Sequence, residues 1–161
     1  MTYGEPKTMK TIRFGIIGCG LMGRELASAM ARWCHLTDMD VRPELVAACS
    51  RSAERFTWIR QNFPSVRQYT QDYRELLANP DVDVVYCAVP HNLHREFYVA
   101  TIEAGKHLLG EKPFGMDLAA NEAILAALRA HPASVTRCVS QFPFFPAAVR
   151  IADMIEERAF G

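Results

Sequence analysis

The residues best suited to chemistry fall in four short clusters. The first is Gly18-x-Gly20-x-x-Gly23, in which Gly18 permits a tight turn, Gly20 lets backbone approach a pyrophosphate, and Gly23 lets a helix pack closely on a strand. Such a turn takes an anion on free N–H groups and the positive end of a helix dipole, with no cationic side chain required. Leu21 and Met22 open the helix behind it and join Gly18 and Gly20 as cofactor-binding candidates. The other clusters are Ser50-Arg51 with Ser52 and Arg55, then Pro90-His91-Asn92-Leu93-His94, then Glu111-Lys112-Pro113.

The second cluster bears on which dinucleotide would bind. A dinucleotide fold often places an acid about 20 residues past its first glycine, at the end of the second strand, to hold the adenine ribose 2′-hydroxyl. Asp38 has that separation from Gly18, but the next strand-like run is 44–49, so Asp38 reads as a loop carboxylate. At the strand end stand Ser50 and Arg51, followed by Arg55. An arginine there would pair bidentately with a 2′-phosphate, and Ser50 would donate a hydrogen bond, so the residues favour NADP, with NAD still open. The bland alternative has Ser50 and Ser52 competing for a helix N-cap and the arginines forming a solvated face.

Lys112 follows a strand end, where a lysine desolvated against cofactor and substrate could transfer a proton or polarise a carbonyl. The competing reading is a surface ion pair between Lys112 and Glu111, worth little. His91 and His94 have the spacing of a metal pair, but no third ligand stands nearby, and no metal site is expected.

These clusters need elements to hold them. Residues 11–33 read as strand, turn and helix: Ile12, Phe14, Ile16 and Ile17 suit a buried strand, and Leu21, Met22, Leu26, Ala29, Met30 and Trp33 recur near helical spacing. A connection at 34–43 leads to the strand at 44–49, a helix at 52–62, a short strand at 66–69, and a brief helix at 72–77. The apolar run 82–89 predicts a strand buried on both faces, and a helix from the histidine loop runs to about 104, closed by Gly105. Further strands at 107–109 and 135–140 flank a helix at 117–130, and a last helix spans 146–158. This alternation predicts an α/β fold, a doubly wound parallel sheet with helices on both faces, whose ligands bind beyond the carboxyl ends of the strands.

Composition narrows the partners. Lys plus Arg and Asp plus Glu number 18 each in 161 residues, so no overall field recruits nucleic acid or anionic membrane. No apolar run approaches the roughly 20 residues of a membrane span. The five cysteines are odd in number and widely spaced with no CxxC, and read as reduced, mostly buried small hydrophobes. Residues 1–10 are polar, lack the apolar core of a signal peptide, and read as a disordered leader of a cytoplasmic protein.

The chain resembles the Gfo/Idh/MocA oxidoreductases, sugar and related dehydrogenases that use NAD or NADP. The resemblance runs from FGIIGCGLMGREL through AVPHNLHREFYVATIEAGKHLLGEKPFG to QFPFFPAAVRIADMIEERAFG, and EKP at 111–113 after AGKH at 104–107 is its specific part. It implies a Rossmann-type nucleotide-binding domain over 11–142 and a crossing segment and helix over 143–161. It also implies Lys112 as the catalytic residue at the nicotinamide–substrate junction, and Ala88, Pro90, Asn92, His94, Glu111 and Lys112 itself as cofactor neighbours. Two departures stand out. Pro143 precedes Phe144-Phe145-Pro146 where the family often has an arginine, and family members continue for roughly another domain that supplies the substrate pocket. The expectation is therefore a cofactor-domain fragment, lacking the second domain, of an enzyme acting on a small sugar-like substrate as a homo-oligomer. A stand-alone dinucleotide-binding or sensor module is the alternative.

Overall fold

The strand at the centre of the sheet is β1 (Lys10–Ile17), which runs straight into the glycine turn and helix α1 (Leu21–Ala31). The computed structural model describes residues 9–161; the leader expected at 1–10 lies outside the described residues except at its end, where Lys10 already belongs to β1. The chain continues through β2 (Val41–Cys49), α2 (Phe56–Asn62), β3 (Gln68–Thr70), α3 (Tyr73–Leu77), β4 (Val84–Cys87) and α4 (His94–Glu103). It ends with β5 (His107–Gly110), α5 (Leu118–Ala130), β6 (Thr136–Cys138) and α6 (Pro146–Glu156).

The six strands are ordered β3-β2-β1-β4-β5-β6, and every pairing is parallel. The order therefore reverses between β1 and β4, which opens a crevice at their carboxyl ends. Register makes those ends level, because Ile17 lies opposite both Cys49 and Cys87, and Cys87 lies opposite Gly110.

Alternation of side chains sorts the strands' apolar residues onto two faces. Ile16, Ala48 and Tyr86 join Ala27 and Met30 of α1 and Phe56 and Ile59 of α2 in one core. Ile17, Ala47 and Cys87 join Leu76 of α3, Tyr98 and Ile102 of α4, and Ile124 of α5 in the other. Helices thus cover both faces, as the alternation of elements predicts.

Helix ends follow local chemistry. Asp72 accepts from the Arg74 N–H at 2.9 Å, and Asp117 from the Ala120 N–H at 2.7 Å, so each carboxylate satisfies a donor that the helix leaves orphaned. Gly105 takes φ 71° just past α4, the left-handed position that glycine fills without strain.

Strand lengths depart from the sequence reading. β2 begins at Val41 and includes Pro43, which pairs with Ile12 of β1. β3 covers only Ala47 to Cys49 of β2, so the missing N–H of Pro43 meets no neighbouring strand. β4 is shorter than the 82–89 run, since β1 turns away at Gly18 and leaves Val89 no ladder partner. The first turn of the helix expected at 52–62 is a 3-10 turn, Ala53–Arg55. α6 has no buried residue, and Ile151 and Ile155 are 52% and 63% exposed.

Candidate functional site

At the reversal of strand order lies a hollow of about 580 Å³, lined by Gly18, Gly20, Ser50, Arg51, Arg55, Ala88 and Pro90, all singled out from the sequence. Ser52, Gln71, Tyr73, Leu93 and Phe97 complete much of its wall.

The glycine turn is wedged at two positions and open at the third. Gly18 has φ 102°, its N–H donates to the Cys49 carbonyl at 2.9 Å, and a Cβ on it would lie 2.5 Å from the Ala88 oxygen. A Cβ on Gly23 would collide with the Gly18 carbonyl oxygen. Gly20 differs, because the nearest atom to a Cβ there is Arg55 Nη1 at 3.8 Å. Its missing side chain leaves a cradle facing the crevice. Gly20 caps α1 without a side-chain hydrogen bond, and the first turn carries no acid, so the leading N–H groups of the helix remain available to an anion. The residues present therefore fit a pyrophosphate.

Among the described residues, no carboxylate lines the crevice. The Ser50 N–H donates to the Thr70 carbonyl at 3.1 Å, and the Gln71 side-chain amide donates to the Arg51 carbonyl at 3.0 Å, fixing the backbone at the end of β2. Ser52 makes no side-chain cap bond, so the capping explanation for this serine cluster is not realised. Among the described residues, neither Arg51 nor Arg55 takes part in an ion pair. Asp38 lies in the connection before β2, at the amino end of that strand and so on the opposite edge of the sheet from the crevice. Cys19 and Cys49, which also line the hollow, have thiols pushed up to about 12 by burial and are not nucleophiles there.

The Glu111–Lys112 segment is built differently from a surface ion pair. Glu111 is 7% exposed; its carboxylate accepts from the Tyr86 hydroxyl at 2.6 Å and from the Lys112 N–H at 3.2 Å. The Tyr98 hydroxyl donates to the Glu111 carbonyl at 2.7 Å, and His94 Nδ1 lies 2.7 Å from the Pro113 carbonyl. Burial and the neighbouring Glu111 push both tyrosine hydroxyls well above their ordinary range, so both stay protonated donors. The main chain on both sides of Lys112 is thus pinned, while its side chain is exposed and free of any ion pair among the described residues.

Other expected neighbours of the cofactor lie outside the lining of this hollow. His94 is fully buried, with Nε2 3.2 Å from the Val89 carbonyl, so its side chain braces the crevice wall from behind and has no nitrogen free for a metal. Met22 and Glu111 face a second hollow of about 480 Å³ on the α1 side of the sheet, with Arg137 and Phe144. Leu21 is 64% exposed at the start of α1, and His91 and Asn92 are exposed in the 3-10 turn His91–Leu93. Gln71 was absent from the sequence reading, although its place directly after a strand was the available signal.

The family model described as an oxidoreductase family with an NAD-binding Rossmann fold, Gfo/Idh/MocA, matches residues 12–137. The 1,5-anhydro-D-fructose reductase of Ensifer adhaerens is 37% identical over 120 residues, covering 73% of this chain and 33% of that protein. The D-xylose 1-dehydrogenase (NADP(+)) of Hypocrea jecorina is 32% identical over 168 residues, covering 100% of this chain and 41% of that protein. The solved structure of levoglucosan dehydrogenase in complex with NADH and levoglucosan superposes with a TM-score of 0.84 at 27% identity, over 94% of this chain and 41% of that one. The chain thus spans about a third to two fifths of the length of the relatives it matches. Because the family match takes in most of β1, the glycine turn, β2 through β5 and the Glu111-Lys112-Pro113 segment, the chain belongs to the Gfo/Idh/MocA oxidoreductases and carries their NAD-binding Rossmann fold.

Proposed function

We propose that this chain binds NADP(H) and forms the cofactor-binding part of an oxidoreductase acting on a sugar-like or other small alcohol or carbonyl substrate. The observation that carries the cofactor choice is the end of β2, where Ser50 and Arg51 line the crevice and, among the described residues, no carboxylate does. A carboxylate would repel a 2′-phosphate, whereas a guanidinium pairs with it bidentately. Relatives' names support both cofactors: the Hypocrea jecorina enzyme is named for NADP(+), and levoglucosan dehydrogenase is solved with NADH. The choice therefore falls to the residues at this strand end.

In this reading the backbone of Gly18, Gly20, Leu21 and Met22 cradles the pyrophosphate, and Ala88, Pro90 and Asn92 border the dinucleotide on the β4 side. The bound nicotinamide would supply or accept the hydride. Lys112 orients the reacting oxygen and gives it a proton in reduction or takes one in oxidation. What supports Lys112 in that role is a pinned backbone beneath an ammonium that makes no ion pair among the described residues. Substrate class follows the Ensifer adhaerens and Hypocrea jecorina relatives, which are named for a sugar or a sugar derivative.

Calorimetric titration tests the cofactor assignment. NADPH should bind more tightly than NADH, and Arg51→Ala should erase that preference by about 1.5–3 kcal/mol, the range of a charge-assisted hydrogen bond. Equal affinities in the unmodified protein would sink the NADP assignment and leave Arg51 a surface charge.

A further inference from the structure

His94 is fully buried, and both of its ring nitrogens face carbonyl oxygens: Nδ1 lies 2.7 Å from the Pro113 oxygen and Nε2 3.2 Å from the Val89 oxygen. A neutral imidazole has one N–H, so it donates to one of these acceptors and turns a lone pair toward the other. Whichever tautomer it takes, one contact then sets two acceptors against each other where no solvent reaches the ring. Only a ring with both nitrogens protonated satisfies the two carbonyls at once.

The two carbonyls belong to different walls of the site. Val89 follows β4 and lines the crevice, whereas Pro113 is the residue after Lys112. Tyr98, one turn further along α4, stacks on the His94 ring with centroids 4.7 Å apart and planes 20° from parallel, and an aromatic face attracts a protonated imidazole. Other ionisable groups on the surrounding elements are engaged elsewhere or exposed. The His91 ring stands edge-on at 5.3 Å, the Glu111 carboxylate accepts from the Tyr86 hydroxyl and the Lys112 N–H, and Asp117 accepts from the Ala120 N–H. Arg95, Glu96 and Lys112 are exposed, and the Cys87 and Cys138 thiols, pushed up by burial, stay uncharged.

We propose that His94 is a proton-dependent latch between the two walls: doubly protonated, it ties the β4 loop at Val89 to the Lys112 loop at Pro113, and loss of one proton releases Val89. The shorter contact, to Pro113, keeps its N–H, and Nε2 then presents a lone pair to the Val89 oxygen. The latch is therefore closed at low pH and opens as pH rises. His94 acts through the backbone on either side of the crevice and is a positioning residue. Nothing in this arrangement depends on which dinucleotide the crevice takes.

Nitrogen-15 and carbon-13 NMR of the unmodified protein from about pH 5 to pH 8, the span in which histidine ordinarily changes charge, gives the test. Both ring nitrogens of His94 should read as protonated at the acid end. As pH rises Nε2 alone should lose its proton, and the Val89 carbonyl carbon should move with the same midpoint while that of Pro113 moves less. The Ala88 N–H donates to the Ile17 carbonyl and the Leu93 N–H to the Pro90 carbonyl. Above the midpoint, protection of these two amides from hydrogen exchange should fall by about tenfold, as for loss of a hydrogen bond to a charged group. His94→Phe, which keeps a ring on Tyr98, should remove the pH dependence at Val89 and hold the protection at its lower level. His91→Gln should leave both responses in place, which separates the latch from titration of the exposed neighbour. If the Phe variant does not fold, the titration of the unmodified protein decides alone. The proposal is overturned if the His94 nitrogens hold one protonation state throughout, if Val89 moves with a different midpoint, or if His91→Gln abolishes the response.

Discussion

At the scale of single residues, the three glycines of one turn have different physical reasons for being glycine. Gly18 and Gly23 are excluded from carrying a side chain by the protein's own backbone, whereas Gly20 faces open space. Gly20→Val should therefore fold with an unchanged melting temperature and lose dinucleotide affinity by about a hundredfold or more, because the new side chain fills the crevice. Normal NADPH binding by that variant would make the turn structural only. Lys112 poses a different question, since its backbone is held and its ammonium makes no ion pair among the described residues. In the active enzyme, Lys112→Met keeps the apolar stem, so NADPH affinity should change little while turnover falls by about a hundredfold or more, as for loss of a general acid–base group. Stopped-flow NADPH oxidation decides it: an unchanged hydride-transfer rate would leave Lys112 without a chemical role.

At the scale of elements, α4 does more than cover the sheet. His94 and Tyr98 lie one turn apart on one face of it, the spacing at which helical side chains align. Their polar atoms reach the carbonyls on either side of Lys112, at Pro113 and Glu111. The helix thereby ties its rigid face to the loop that carries Lys112. Strands β1 and β4 are tied at the other edge of the sheet. The Arg13 N–H and guanidinium donate to Asp83 at 2.8, 3.1 and 2.9 Å, which holds the Asp83 carboxyl below its ordinary range. A depressed carboxyl contributes stability that is present above its unfolded value, near pH 4, and is lost as pH falls through its lower folded value. Asp83→Asn should therefore lower stability at neutral pH and flatten the loss of stability below about pH 4, measured by urea unfolding at a series of pH values. An acid profile identical to that of the unmodified protein would show that the pair contributes nothing, as many exposed pairs do.

At the scale of the molecule, two cores sandwich one sheet, and the crevice opens where the chain switches from one half of the sheet to the other. Glycine turn, β2 end and β4 loop come from different stretches of chain, so a dinucleotide spanning them binds only the folded state. NADPH at a hundred times its dissociation constant should add about 2.7 kcal/mol of stability. For a domain of this size that corresponds to a rise of about 5–10 °C in melting temperature, readable by differential scanning fluorimetry and absent in Gly20→Val. No rise at saturating NADPH would contradict the proposed ligand.

Much of this architecture is legible in the sequence because its causes are local. The period of apolar residues in 11–33, the carboxylates of Asp72 and Asp117 at helix starts, and Gly105 after a helix are each decided within a few residues. Alternation of strand and helix dictates the parallel order, and the carboxyl-end rule then brings Gly18, Ser50 and Pro90 to one crevice. Only the tertiary structure decided matters that depend on distant partners. Pro43 enters β2 because β3 stops short of it, and the 82–89 run ends early because β1 turns away. Glu111 turns inward because the Tyr86 hydroxyl waits inside the sheet, and His94 is a brace because Val89 and Pro113 converge on it. Arg55 lies 35 positions beyond Gly20 in the sequence, yet the 3-10 turn Ala53–Arg55 brings its Nη1 to 3.8 Å from where a Cβ on Gly20 would stand.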